Sequence, residues 1–165
     1  MNKKTTFIVH AAVIAALYVV LTLLANALGL ANHAIQLRFS EALTILPLFT
    51  PAAIPGLFVG CILANFLTGA LPWDVVFGSL ATLIGAFGTY ALKTYVSGKY
   101  RPLIGAIPPI LSNTVIIPFV LAYVYCFEGS IPYFMLTVCI GEILSCSILG
   151  TLLYNTLAKY QKHLF

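Results

Sequence analysis

Long apolar runs, separated by short breaks that contain glycine, proline or charged residues, follow one another along almost the whole chain. A helix needs about 20 apolar residues to cross a bilayer, and most of the runs approach or exceed this length. The pattern predicts six helical segments, at about residues 7–28, 40–50, 53–70, 74–96, 103–127 and 132–159. An even number of segments would place both termini on the same side of the membrane.

The second segment is unlike the others, because it is short and follows a polar connection. Arg38 and Glu41 lie at its front, and three prolines and a glycine follow by Gly56. Pro47 kinks a helix and removes a backbone donor. Irregular backbone at membrane depth is tolerated only where protein or a water-filled cavity surrounds it. We therefore expect the stretch 36–56 to face a cavity that the other segments enclose.

The composition agrees with an all-α integral membrane protein. Of the 165 residues, 61% are hydrophobic and only 7% are charged, whereas soluble domains carry about 25% charged residues. The length predicts a single domain over residues 1–165. The first apolar run is too long for the core of a signal peptide, so we expect a retained helix. The four cysteines show no metal-ligand spacing, and no cofactor or metal site is expected.

The basic residues predict the orientation in the membrane. If all six segments cross, seven of the eight fall on the side of the termini and Arg38 alone falls on the other. Those seven are Lys3, Lys4, Lys93, Lys99, Arg101, Lys159 and Lys162. Positive residues concentrate on the cytoplasmic side, so both termini are expected there. The basic residues form no continuous face, which argues against nucleic acid as a partner.

Glu142 is the candidate site residue with the strongest physical argument. It lies near the middle of the sixth segment, where an acid is costly and indicates function by default. Asn65 and Asn113 are expected at a similar depth. The alternative is that these three side chains pair only with one another and hold the helices together.

Four further candidates lie towards the outer ends of the segments. Arg38 and Glu41 either contact a ligand or pair with each other at the surface. Asp74 is either a helix N-cap or a ligand group. Trp73 is either an interfacial anchor or a stacking surface for a flat ligand.

The first segment carries two overlapping pairs of small residues at helical spacing: Ala11, Ala12, Ala15 and Ala16. Small side chains let another helix approach closely. This alanine face either packs inside the protein or docks onto a partner helix. A docking surface is favoured by its position in the half of the helix near the expected cytoplasmic side.

Several stretches together resemble the QueT family, the queuosine-precursor-specific S components of energy-coupling factor (ECF) transporters. The specific part is Gln36 to Gly56, with the sequence QLRFSEALTILPLFTPAAIPG; the resemblance also includes AAVIAALY at residues 11–18 and DVVFGSLATL at residues 74–83. The fifth segment matches more loosely, with Asn113 as its recognisable polar residue.

The resemblance implies a six-helix S component of a prokaryotic plasma membrane, which binds one small nutrient and is not an enzyme. Such a subunit docks through its alanine face onto a transmembrane coupling protein that carries two cytoplasmic ATPases. The implied ligand is a 7-deazaguanine: the 7-aminomethyl compound, its 7-cyano precursor or queuine. The implied function is capture of this ligand for ATP-driven uptake.

The candidate residues suit such a ligand. A carboxylate can accept both N1–H and the 2-amino group of guanine in a charge-assisted pair, and we assign Glu142 to this edge. Amide side chains both donate and accept, so Asn113 and Asn65 are assigned to the other ring atoms. Glu41 or Asp74 would hold an aminomethyl arm. Gln36 and Arg38 would belong to a loop that covers the site.

Three other classes of function have to be weighed against this one. An S component for a different vitamin or small heterocycle would share the fold, because function depends on the site. An intramembrane enzyme would need a catalytic partner for Glu142, and the sequence shows none at a similar depth. A channel would need polar residues that repeat along several segments, which are absent from the sequence.

Overall fold

A computed structural model of the chain describes residues 2–30 and 37–161. All regular structure within these ranges is helical. In chain order the elements are α1 (Lys3–Ala27), a 3₁₀ helix (Phe39–Leu48), α2 (Ala53–Leu67), α3 (Pro72–Leu92), α4 (Arg101–Gly105), α5 (Ile107–Tyr123), α6 (Ile131–Glu142), a π-helical segment (Ile143–Leu149) and α7 (Gly150–Ala158).

Within the described ranges, four helical stretches are long and apolar enough to cross a membrane: Lys3–Ala27, Pro72–Leu92, Arg101–Tyr123 and Ile131–Ala158. The 3₁₀ helix has 10 residues and α2 has 15. At their respective rises they extend for only about 20 Å each, against about 30 Å of hydrocarbon. The prediction of an all-α multi-pass membrane protein is therefore confirmed. Length and hydropathy support four spans, and the predicted number of six stays a prediction.

The 3₁₀ helix lies at the centre of the structure. Every residue from Ser40 to Leu48 is buried, and the helix packs against α1, α3, α7 and the π-helical segment. Pro47 lies inside it and cannot donate a backbone hydrogen bond. The short second segment is thus enclosed by protein. Within the described part of the stretch that was predicted to face a cavity, Arg38 lines the cavity described below, whereas Ser40–Leu48 packs against other helices.

Two cations hold the C-terminal end of the 3₁₀ helix. Lys93 Nζ donates to the carbonyl of Phe49 at 2.8 Å, and Arg101 Nη2 donates to the carbonyl of Leu48 at 3.5 Å. Carbonyls at a helix end have no partner within the helix, so these side chains satisfy groups that would otherwise be unpaired. This end is therefore fixed beside the end of α3 and the start of α4.

The alanine face of α1 is divided by its contact with α2. A Cβ added at Gly56 would lie 2.7 Å from the carbonyl oxygen of Ala11, and one at Gly60 would lie 3.0 Å from Ala15 Cα. Ala15 is buried against α2, whereas Ala12 and Ala16 are exposed. Internal packing thus accounts for Ala11 and Ala15, and only the other two alanines are available to a partner.

We expect Gly60→Val to lower the thermal unfolding midpoint in detergent. The new Cβ would lie 2.8 Å from Tyr18 Cβ and close to the α1 backbone, and overpacking of this kind costs about 1–3 kcal/mol. Each kcal/mol corresponds to about 2–4 °C at this chain length. Ala12→Val, on the exposed side of α1, is the matched control and should leave the midpoint unchanged. Equal midpoints for both variants would show that α1 and α2 are not closely packed.

Candidate functional site

A cavity of about 620 Å³ opens at the end of the bundle where α1, α2 and α5 end and α3 and α6 begin. This volume is within the range of small-molecule sites. Polar and charged side chains from several elements line it, together with aromatic and aliphatic ones: Thr22, Asn26, Arg38, Asn65, Thr68, Asp74, Ile117, Leu121, Tyr125, Phe127, Glu128, Tyr133 and Phe134. The cavity can therefore enclose a flat ligand and also form hydrogen bonds with it.

Asp74 projects from the first turn of α3 into the cavity wall. Its Oδ2 accepts a hydrogen bond from the Tyr125 hydroxyl at 2.8 Å, and the residue is 6% exposed. The N-cap of α3 is Leu71, followed by Pro72, and no side chain caps this end. The N-cap alternative for Asp74 is therefore wrong. Proline begins the helix one residue after Leu71 and places Asp74 inside the first turn.

Asn65 of α2 lies beside Asp74 in the same wall. A Cβ added at Gly78 would lie 3.2 Å from Asn65 Nδ2 and 3.5 Å from Asp74 Oδ1. The Asn65 amide and the Asp74 carboxylate thus both lie beside Gly78, which has no side chain to separate them. Asn65 Nδ2 donates to Cys61 Sγ at 3.5 Å, which is a weak interaction and leaves the amide free to exchange partners.

Tyr125 keeps its proton and acts as a donor to Asp74. It lies just beyond the end of α5, outside the spanning helix. Burial, and next the hydrogen bond to Asp74, raise the pKa of Tyr125 above its usual value. Because the hydroxyl stays neutral, it can donate to Asp74 Oδ2 and leave the other carboxylate oxygen available to a ligand.

A second group of polar side chains lies deeper than the cavity. Glu41, Glu142 and Cys146 are all buried, and one ligand-type atom from each lies within 4.8 Å of the other two. Glu41 Oε1 accepts from the Tyr18 hydroxyl at 2.5 Å, and Glu142 Oε2 accepts from Cys146 Sγ at 3.2 Å. Glu41 and Glu142 are called the acid pair below.

The acid pair lies one to two helical turns beneath the cavity wall. Phe134 lines the cavity, and Glu142 follows two turns deeper along α6, about 12 Å at the α-helical rise. Arg38 also lines the cavity, and Glu41 follows about one turn deeper along the 3₁₀ helix. The charge of Arg38 interacts with Asp74 and with both acids of the pair. The positive charge of Arg38 is thus shared between Asp74 in the cavity wall and the acid pair beneath it.

The donor set of the acid pair and Cys146 offers two carboxylate oxygens and a sulfur. These are ligand types found in transition-metal sites. The Cys146 thiol, however, donates to Glu142 in its neutral form, and the positive charge of Arg38 acts on both carboxylates. Both features disfavour a metal ion, so we assign none.

Comparison with known proteins identifies the chain. The model of the family described as "QueT transporter" matches residues 8–159. The chain belongs to the QueT transporter family. It is also 38% identical, over 86 residues, to the "Queuosine precursor transporter QueT" of Lactococcus lactis subsp. cremoris (strain MG1363). That match covers 51% of this chain and 50% of the relative, so the chain spans about half the length of the curated relative it matches. No solved structure matches.

Membership of the QueT family confirms the resemblance read from the sequence. It places the chain among transporters, which are not enzymes. Together with the four spanning helices, it indicates a multi-pass membrane protein.

The structure of this QueT family member separates the predicted site residues into three groups. Arg38, Asn65 and Asp74 line the cavity. Glu41, Glu142 and Asn113 are buried more deeply. Trp73 lies on the outer surface, where it is 62% exposed and stacks against Phe77, with ring centroids 6.0 Å apart; this placement fits the interfacial anchor. Gln36 lies outside the described residues.

Asn113 is the polar neighbour of the acid pair on α5. It interacts with Glu142, is 2% exposed, and its Nδ2 has no acceptor at hydrogen-bond geometry within the described ranges. Ile117, one turn nearer the cavity, belongs to the cavity wall. Asn113 is therefore about 6 Å deeper than the wall.

Sequence reasoning missed Tyr125 and Thr68 as cavity residues. Tyr125 lies in a run that reads as continuous helix to Phe127, yet α5 ends at Tyr123 and Cys126 has a φ of 52°. The chain therefore turns where the hydropathy shows no break. Thr68 caps α2, and its hydroxyl donates to the carbonyl of Ala64 at 2.9 Å; the adjacent Gly69 was the available signal.

Proposed function

We propose that this QueT family member is the substrate-binding subunit of an ECF-type importer and that it captures a queuosine precursor in the cavity beside Asp74. The relative in Lactococcus lactis is named as a queuosine precursor transporter. The observation that carries the proposal is the pairing of a carboxylate and an amide, Asp74 and Asn65, across Gly78 in a cavity of about 620 Å³.

The chemistry of this pair matches the edge of a deazaguanine. Two adjacent donors, N1–H and the 2-amino group, can both be accepted by one carboxylate in a charge-assisted arrangement. The neighbouring Asn65 amide can serve O6 or N3, because it both donates and accepts. Sequence reasoning assigned the guanine edge to Glu142. We now assign it to Asp74, because Asp74 lines the cavity beside Asn65, whereas Glu142 is not among the lining residues.

Aromatic side chains at the cavity mouth suit a flat ring. Tyr125, Phe127, Tyr133 and Phe134 all line the cavity, and the Tyr125 and Phe127 ring centroids are 5.5 Å apart. Such rings contribute apolar contact area and stacking to a planar heterocycle. The cavity therefore favours planar ligands that carry several hydrogen-bond donors along one edge.

We further propose the orientation and the partners of an S component. Six segments would cross, both termini would be cytoplasmic, and the cavity would open outwards. Lys93 and Arg101 lie together at the end of the bundle away from the cavity, which agrees with the positive-inside rule. A transmembrane coupling protein with two cytoplasmic ATPases would contact α1 at Ala12 and Ala16.

A thermal-shift screen of the purified protein tests the proposal against its main alternative, an S component for another vitamin. A ligand that binds only the folded state raises the unfolding midpoint by mass action. We expect the 7-aminomethyl and 7-cyano deazaguanines or queuine to raise it, and riboflavin, thiamine, biotin and folate to leave it unchanged. A shift with one of these vitamins and none with any deazaguanine would contradict the proposal.

A further inference from the structure

All the acidic residues of the chain gather at one end of the bundle. The sequence contains four Asp and Glu residues and eight Lys and Arg residues. Asp74 and Glu128 line the cavity, and Glu41 and Glu142 form the buried pair beneath it. Among the Lys and Arg residues in the described ranges, only Arg38 reaches this region. A protein with a net charge of +4 thus has an acid-rich binding region.

Three of these acids are buried, and one arginine does not balance them. Asp74, Glu41 and Glu142 are each less than one-tenth exposed. An unbalanced buried carboxylate is costly, so each additional negative charge must be balanced by a proton or by a bound cation. Arg38 supplies positive charge to all three.

The deeper region also contains polar atoms without partners. Glu41 Oε2 and Asn113 Nδ2 are buried and form no hydrogen bond within residues 2–30 and 37–161. Asn113 lies next to Glu142. Buried polar atoms are nearly always hydrogen-bonded in native proteins, so Glu41 Oε2 and Asn113 Nδ2 are available to accept from and donate to a polar ligand group.

We infer that the site selects a ligand that carries a positive charge, and that the acid pair beneath the cavity is the feature that selects it. This inference rests on the proposed function, and it distinguishes among the deazaguanines. The ring edge would bind Asp74, and a protonated amine on the 7-substituent would point towards Arg38 and the acid pair. A neutral substituent would supply no positive charge, so protons would have to balance the buried carboxylates.

Three deazaguanines that share one ring test this inference. 7-Aminomethyl-7-deazaguanine is a cation, its 7-hydroxymethyl analogue is a neutral isostere, and the 7-carboxy compound is an anion. Calorimetry on the purified full-length protein in detergent should give affinities in that order, with the amine at least about tenfold tighter than the alcohol. Equal affinities for amine and alcohol would overturn the inference but leave the proposed function intact. Failure of all three to bind would contradict the proposed function itself.

Two substitutions test the role of the acid pair: one removes an acidic side chain and the other removes a basic one. Glu142→Gln removes, at nearly constant size, a carboxyl group that can ionise opposite a bound cation, so the ratio of amine to alcohol affinity should fall. Arg38→Gln removes the competing cation, so the same ratio should rise. Binding of the alcohol by each variant shows that it is folded. A ratio that stays unchanged in both variants, or moves in the same direction in both, would show that the acid pair does not select the charge.

Discussion

We expect Asp74→Asn to weaken deazaguanine binding by about 10- to 150-fold, the equivalent of the 1.5–3 kcal/mol that a hydrogen bond to a charged group contributes. The substitution keeps the size of the side chain. It replaces one acceptor oxygen with a donor that would oppose N1–H or the 2-amino group of the ring. Calorimetric titration of the purified variant measures the effect directly.

Tyr125→Phe is the control for this substitution. It removes the hydroxyl that donates to Asp74 Oδ2 at 2.8 Å but leaves the carboxylate in place. Its effect should be smaller than that of Asp74→Asn, because only the orientation of the acceptor is lost. If Asp74→Asn binds the ligand as tightly as the unchanged protein, or if Tyr125→Phe costs more, Asp74 does not hold the guanine edge.

Ala12→Trp and Ala16→Trp should abolish uptake and block assembly with the coupling protein, while ligand binding by the isolated subunit stays near normal. Both alanines are exposed on α1. A bulky side chain there does not disturb the fold but keeps a partner helix at a distance, with the loss of dispersion contacts along the seam. Pull-down with the coupling protein and calorimetry on the same variant separate the two effects.

Leu17→Trp is the matched control for docking, because Leu17 is also exposed but faces a different side of α1. It should preserve assembly. Ala15 is unsuitable as a docking variant, since it packs against Gly60 and a tryptophan there would separate α1 from α2. Normal assembly with both Ala12→Trp and Ala16→Trp would show that this face of α1 is not the docking surface.

The sequence predicted the central feature of the fold for a physical reason. Arg38, Glu41 and Pro47 cannot face lipid, so the segment that carries them had to be enclosed, and the 3₁₀ helix is buried along almost its whole length. Its helical type was not predictable, because it depends on contacts with α1, α3 and α7. The predicted crossing by α2 and the 3₁₀ helix remains a prediction, since both are short.

Helix ends were less well predicted than helices. The fourth segment was expected to reach about Val96 but α3 ends at Leu92, and the fifth was expected to reach Phe127 but α5 ends at Tyr123. Past α3, Lys93 and Thr94 are followed by Tyr95 and Val96, which extended the predicted helix. Apolar and aromatic residues continue past α5, so hydropathy gives no sign of that turn. This error concealed Tyr125, which lies in the turn and contacts Asp74.

Depth was predicted correctly for only part of the site. Glu41 was expected towards the outer end but lies beside Glu142, and Asn65 was expected at the depth of Glu142 but lines the cavity. Counting residues along a helix places Glu142 and Asn113 well inside the protein, and both are buried. It does not show which side chains reach a cavity and which lie beneath it. That distinction depends on how α2, α3 and α6 are arranged around one another, and it separates Asp74 and Asn65 from the acid pair.

An experimental structure of the protein with 7-aminomethyl-7-deazaguanine bound would locate the ligand directly. We expect density for the ring in the cavity between Asn65 and Asp74, with the donor edge on the Asp74 carboxylate and the amine directed towards Arg38 and the acid pair. Density at any other position, such as beside Lys93 and Arg101 at the opposite end, would contradict binding at Asp74.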